Sequence, residues 1–292
     1  MSKTEQWRIG SVTITSVVED EVPGVPPELF FPEATAEEVR SQGWCVPDYA
    51  DADGNVTLRV QALMVEVAGR RILVDPCVGN GKRRALPFWH EQRYPWLERF
   101  TAAGFDPERV DQVLHTHVHA DHVGWDTQFV DGAWVPTFRN ARHLYTAAEL
   151  DFARDSVNDY EDVYGDSIAP IVDAGLVDVV APDAELGDGL RLASTPGHTP
   201  GHVSLWIESD GDTALVSGDF VHNPVQCAFP HWAEIGDDDA DLARITRRAM
   251  FTEACELGVL FIGTHFPSRP AGRVVEDGDV WRFVPVDGVV IG

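Results

Sequence analysis

Lysine is almost missing from this chain. Of its 22 basic residues only Lys3 and Lys82 are lysines, and the rest are arginines. Basic residues of either kind are also outnumbered: 48 acids leave a formal charge of −26 at pH 7, with a pI near 4.6. Such a field repels phosphate backbones and anionic headgroups, so neither nucleic acid nor membrane is an expected partner. The acids are spread along the chain, as in a solvating surface, and not gathered into a tail. Cysteine is scarce as well. Cys45, Cys77, Cys227 and Cys255 stand far apart with no C-x-x-C pair, which predicts reduced, mostly buried thiols and no disulfide framework. No apolar run approaches the roughly 18 residues of a membrane helix. The opening MSKTEQWRIG has no apolar core of a signal peptide, so a cytoplasmic protein is expected.

What is present is ordinary globular material: 292 residues, 44% hydrophobic and 24% charged, enough to bury a core without staples. No linker-like stretch interrupts it, and the expectation is one α/β domain over residues 1–292. Trp7 to Val18 alternates as a strand does. Val56 to Val67 and Arg70 to Val74 predict a hairpin turning at Gly69. Ala34 to Gln42, Trp96 to Ala103, Ala147 to Tyr164 and Asp237 to Leu257 have helical character, the last acidic at its start. Asp111 to Leu114, Leu190 to Ala193, Val203 to Glu208, Ala214 to Ser217 and Val259 to Gly263 predict further strands.

One of these strands runs into VLHTHVHADHVGW, which holds His115, His117, His119, Asp121 and His122 within eight residues. Imidazole and carboxylate at this density suit zinc, iron, manganese or cobalt. On an extended turn His117 and His119 point the same way, and Asp121 and His122 follow toward a second ion. Outside this run, His198 lies in TPGHTPGH, Asp219 in SGDF after an apolar strand, His265 in GTHF after another, and Asp75 at the end of LVDP.

The H-x-H-x-D-H pattern, with those residues following in order, resembles the metallo-β-lactamase superfamily over roughly residues 60 to 270. The resemblance implies an αββα sandwich with the core at about 58–270. It implies two divalent metal ions, zinc first, with manganese, cobalt or iron also compatible. His117, His119 and His198 would hold one ion and Asp121, His122 and His265 the other, with Asp219 shared and Asp75 in support. An acid at Asp219 in place of the cysteine of true zinc β-lactamases points to the hydrolase branches, with the methyl parathion hydrolase and quorum-quenching lactonase group nearest in motif. The implied reaction is attack of a metal-bridging hydroxide on an ester, lactone or aryl phosphotriester, with Asp121 orienting the nucleophile.

His222 stands three residues after Asp219, where the lactonases carry a tyrosine, and is a candidate pocket acid or hydrogen-bond donor. His115 and His202 are expected to be structural or to support ligands, and His143 to be an ordinary surface or strand residue. The aromatics of Gly79 to Trp96, with Trp125, Phe129, Trp134, Phe229 and Trp232, suggest an apolar pocket for a neutral small-molecule substrate. The alternatives are a glyoxalase-II-like thioesterase, for which no basic patch is evident, and an iron-dependent oxygenase on the same scaffold. A homodimer built on the strands before Leu58 is a further expectation.

Overall fold

The computed structural model describes residues 4–156 and 160–291. Two compact units emerge: residues 1–20, 60–184 and 289–292 form the first, and residues 21–59 and 185–288 the second.

The first unit carries a mixed sheet in the order Val289–Ile291, Thr4–Ile9, Val12–Val25, Val56–Val67, Arg70–Val74, Gln112–Leu114, Arg142–Thr146 and Val177–Val180. The hairpins Thr4–Ile9/Val12–Val25 and Val56–Val67/Arg70–Val74 are antiparallel. From Arg70–Val74 onward the pairs are parallel. Parallel neighbours need crossovers, and these carry the helices Trp96–Ala102 and Ala147–Asp155. In register, Val74 pairs Leu114 and Leu114 pairs Leu144. The residues that follow, Asp75, His115 and Tyr145, therefore leave the sheet side by side at its carboxyl edge, where open α/β sheets bind ligands. Below that edge Trp96 stacks on Phe100 and Trp125 at 5.1 and 5.5 Å, among Leu73, Val113 and Met64.

The second unit carries a seven-stranded sheet: Glu185–Gly187, Leu190–Ser194, Val203–Ser209, Asp212–Val216, Leu260–Ile262, Ala271–Asp277 and Val280–Pro285. Its parallel pair, Asp212–Val216 with Leu260–Ile262, matches Val216 to Ile262. Asp219 and His265 each lie three residues beyond those partners, so the register delivers them together. The crossover contains the helix Ala240–Leu257, which buries Ala243, Arg247, Met250, Phe251 and Ala254 along one stripe. Against its first turn lies Gly197 at φ +130°, where any Cβ would strike the Ala243 backbone.

Several expected elements differ in extent. Trp7 to Val18 is not one strand but parts of two, turning at Gly10 with φ +53°. The helix foreseen from Asp237 begins at Ala240, because Asp239 caps it by accepting the Leu242 N–H and Asp237 is engaged elsewhere. The helix foreseen over Ala147 to Tyr164 spans Ala147–Asp155, and residues 157–159 of that stretch lie outside the described residues. All four cysteines are free thiols, with Cys45, Cys77 and Cys227 buried.

Candidate metal centre

In the first unit, Asp75 sits at φ +52°, a left-handed conformation that a non-glycine residue adopts at a cost. Its carboxylate accepts the Thr116 backbone N–H at 2.8 Å and the Thr116 hydroxyl at 2.7 Å, and lies 3.1 Å from His122 Nδ1. Asp75 thus binds the start of the histidine run to the neighbouring strand end. The run then turns on itself: the His122 N–H donates to the His119 carbonyl, and the Val118 N–H donates to Glu149 Oε2 at 3.0 Å. Gly124 follows because its backbone passes so close to Val78 that no side chain would fit. The result brings His117 Nε2 within 3.1 Å of His119 Nδ1 and His122 Nε2 within 3.6 Å of Asp121 Oδ2.

In the second unit, three imidazoles gather on one carboxylate oxygen. Asp219 Oδ2 lies 2.9 Å from His265 Nε2, 3.2 Å from His222 Nε2 and 3.7 Å from His198 Nε2. The far nitrogens of two of them are tied down. His265 Nδ1 is 2.7 Å from the Arg59 carbonyl, and His198 Nδ1 is 2.9 Å from Asp237 Oδ1. Both partners are acceptors, so each Nδ1 carries the proton and each Nε2 turns a lone pair toward Asp219. Lone pairs facing a carboxylate repel unless a cation lies among them. The donor set of this unit therefore fits a metal ion.

The supporting residues are less visible in the sequence. The side chain of Asp237 is fully buried, and its other oxygen lies 3.6 Å from the buried guanidinium of Arg247. Arg247 in turn donates to the carbonyls of Phe220 and Trp232. Glu234 is also buried, and burial pushes its carboxyl up to about 7, partly opposed by His222. Gln226 holds the His222 loop by accepting the backbone N–H of His222 at 2.8 Å. The reading of almost all acids as surface therefore needs correction. Glu19, Asp126, Glu149, Asp166 and Glu234 are buried and partnered, as is the side chain of Asp237. The aromatic expectation is corrected in part: Trp96, Trp125 and Trp232 are buried core residues, whereas Phe88 and Phe129 are exposed. His143 lies in a strand as expected but is fully buried and not at the surface.

The family model of the metallo-β-lactamase superfamily matches residues 56–253. The chain belongs to the metallo-β-lactamase superfamily. Within it, a 107-residue stretch is 31% identical to an N-acyl homoserine lactonase of a Bacillus species, covering 37% of this chain and 36% of the relative. The match thus spans about a third of that relative's length. Two solved structures resemble the chain along nearly all of it. One is a dizinc quorum-quenching lactonase in complex with the product N-hexanoyl-L-homoserine, with TM-score 0.79, 19% identity and 99% of both chains covered. The other is a hydrolase of the β-lactamase superfamily, with TM-score 0.80, 24% identity and 98% of both chains covered. At these identities the likeness carries the fold, which is the α/β metallo-β-lactamase fold expected of the αββα class.

Proposed function

We propose that the chain is a metal-dependent hydrolase opening ester-type bonds in neutral, fairly hydrophobic small molecules, lactones first among them. The observation that carries this reading is the gathering of His198, His222 and His265 nitrogens on one Asp219 oxygen, with two of the outer nitrogens fixed by acceptors. The superfamily's ligand order supports extending the set to seven residues. His117, His119 and His198 would hold one ion, Asp121, His122 and His265 a second, with Asp219 shared. Zinc is favoured by the donor set and by the dizinc lactonase of like fold.

Bound divalent ions supply water activated near neutral pH and a polarised substrate oxygen. The remaining work falls to the chain. Asp237 and the Arg59 carbonyl fix the tautomers of His198 and His265, which keeps both Nε2 lone pairs inward. Asp121 and Asp219 would offset the charge of bound ions, and Asp121 would orient the attacking water. His222, whose Nε2 lies 3.2 Å from Asp219 Oδ2, is the candidate pocket acid or hydrogen-bond donor toward a substrate oxygen. A carboxylate product leaves a protein of net charge −26 with the field in its favour.

The test is a hydrolysis screen of the metal-loaded protein with uncharged lactones, aryl esters, thioesters, phosphotriesters and β-lactams. Turnover of lactones and esters, anaerobically, is expected. Activity confined to thioesters, or oxygen uptake by an iron form, would replace this reading with one of its alternatives.

A further inference from the structure

A second group of metal-capable side chains lies in the first unit, outside the seven residues above. His115 follows the strand Gln112–Leu114, His143 sits in the strand Arg142–Thr146, and Asp126 closes the turn Gly124–Asp126. All three are essentially inaccessible, at 2%, 0% and 0% exposure. His115 Nε2 lies 3.0 Å from Asp126 Oδ1 and 2.9 Å from Oδ2. His143 Nδ1 lies 3.2 Å from Asp126 Oδ1. One donor atom from each residue falls within 4.8 Å of the other two.

The hydrogen bonding of this group is unusual. His115 Nδ1 is 3.1 Å from the Leu144 carbonyl, an acceptor only, so the proton belongs on Nδ1. That leaves Nε2 as the nitrogen that meets the Asp126 carboxylate. Both ring nitrogens of His143 are buried without an aligned hydrogen bond among the described residues. Its Nδ1, although 3.2 Å from Asp126 Oδ1, is not aligned for a hydrogen bond. Two buried imidazoles turned on one carboxylate, one of them backed by a carbonyl, match the arrangement of metal-ligating histidines. The 2.9–3.2 Å spacing brackets the 3.1 Å between His117 Nε2 and His119 Nδ1 in the motif itself. Tyr145 supports the carboxylate from outside: its hydroxyl donates to Asp126 Oδ2 at 2.6 Å, and its ring lies parallel to His115 at 4.0 Å.

We propose that His115, Asp126 and His143 form an additional, structural site for one zinc-class divalent ion. Two nitrogens and a carboxylate favour a borderline first-row ion over magnesium or calcium, which take oxygen ligands. The site ties His115, just past one strand, and His143, inside its neighbour, to the turn at Asp126, and so pins both ends of the segment carrying His117, His119, Asp121 and His122. The competing arrangement is a proton in place of the metal, with His115 as imidazolium against Asp126.

Crystals of the zinc-loaded, full-length wild-type protein, measured with anomalous scattering at the zinc edge, separate the two. A peak bounded by His115 Nε2, the Asp126 carboxylate and His143 Nδ1 is expected. Zinc-loaded crystals with no peak there, and His115 Nε2 still in contact with Asp126, would overturn the site in favour of the proton. In solution, Asp126→Asn and His143→Gln should each bind one zinc fewer per chain than the wild type, and equal zinc in all three would also overturn it. The readout does not depend on catalysis. Zinc found only among these three residues would support this site while counting against the proposed hydrolase centre.

Discussion

The Nε2 nitrogen of His202 lies 2.7 Å from the backbone nitrogen of Asp219 and accepts its N–H. With Nε2 as acceptor, Nδ1 carries the proton and donates to the Thr195 hydroxyl at 2.8 Å. Thr195 contacts Ser204 at 3.0 Å, and Ser204 donates to the Ser217 carbonyl at 2.6 Å. This buried chain fixes the backbone on which the shared carboxylate stands.

Replacing His202 by phenylalanine leaves the Asp219 N–H buried without an acceptor, at a cost of about 1–3 kcal/mol. Metal affinity should fall roughly 10–100-fold, the range found when outer partners of metal ligands are lost. His202→Gln, whose amide oxygen can accept, should recover part of that loss. Competition with a chromogenic chelator measures both. Equal affinity in His202→Phe and wild type would remove His202 from the support of the site.

Lys82, one of two lysines in the chain, has a fully buried side chain. Its ammonium bonds Thr127 Oγ1 at 2.7 Å, Ser167 Oγ at 2.9 Å, and the Asp166 carbonyl and carboxylate at 2.8 and 3.1 Å. Arg84 grips the same carboxylate at 2.7 and 3.0 Å. Asp166→Asn strands two buried cations and should cost about 3–5 kcal/mol. Lys82→Met leaves the neutral Arg84–Asp166 pair and should cost distinctly less. Urea unfolding midpoints test the order, and equal costs would contradict this account of the cluster.

Glu19 accepts the N–H groups of Val78 and Gly79 and the Trp125 indole. Burial nevertheless pushes its carboxyl from 4.5 to about 8, these donors opposing and Asp20 adding slightly. The folded pKa is raised, so the stability Glu19 contributes is full below pH 4.5 and is lost as pH rises through about 8. Glu19→Gln should remove that slope, worth on the order of 3 kcal/mol between pH 5 and 8. Denaturation at both pH values measures the difference between the two proteins. Parallel slopes would mean that Glu19 does not carry this dependence.

The histidine run was legible because its candidate ligands are contiguous and their order with His198, Asp219 and His265 is distinctive. The hairpin at Gly69 was legible because alternation and a turn glycine agree. What stayed hidden are side chains whose partners are distant in sequence. Asp237 meets His198 39 positions away, and Glu19 meets Trp125 106 positions away. Nothing local separates these buried acids from the dozens on the surface. Trp96 and Trp232, in Pro- and Gly-rich surroundings that suggest a pocket, instead fill cores, because tertiary stacking on Trp125 and Phe31 decides their burial.

The most direct test of the central claim is the rate of hydrolysis of one uncharged lactone by the wild type before and after removal of metal, and by Asp219→Asn. The account predicts that stripping the wild type abolishes turnover, that zinc restores it, and that Asp219→Asn stays inactive with zinc present. A stripped wild type that turns over as fast as the loaded protein, or an Asp219→Asn variant as active as the wild type, would contradict it.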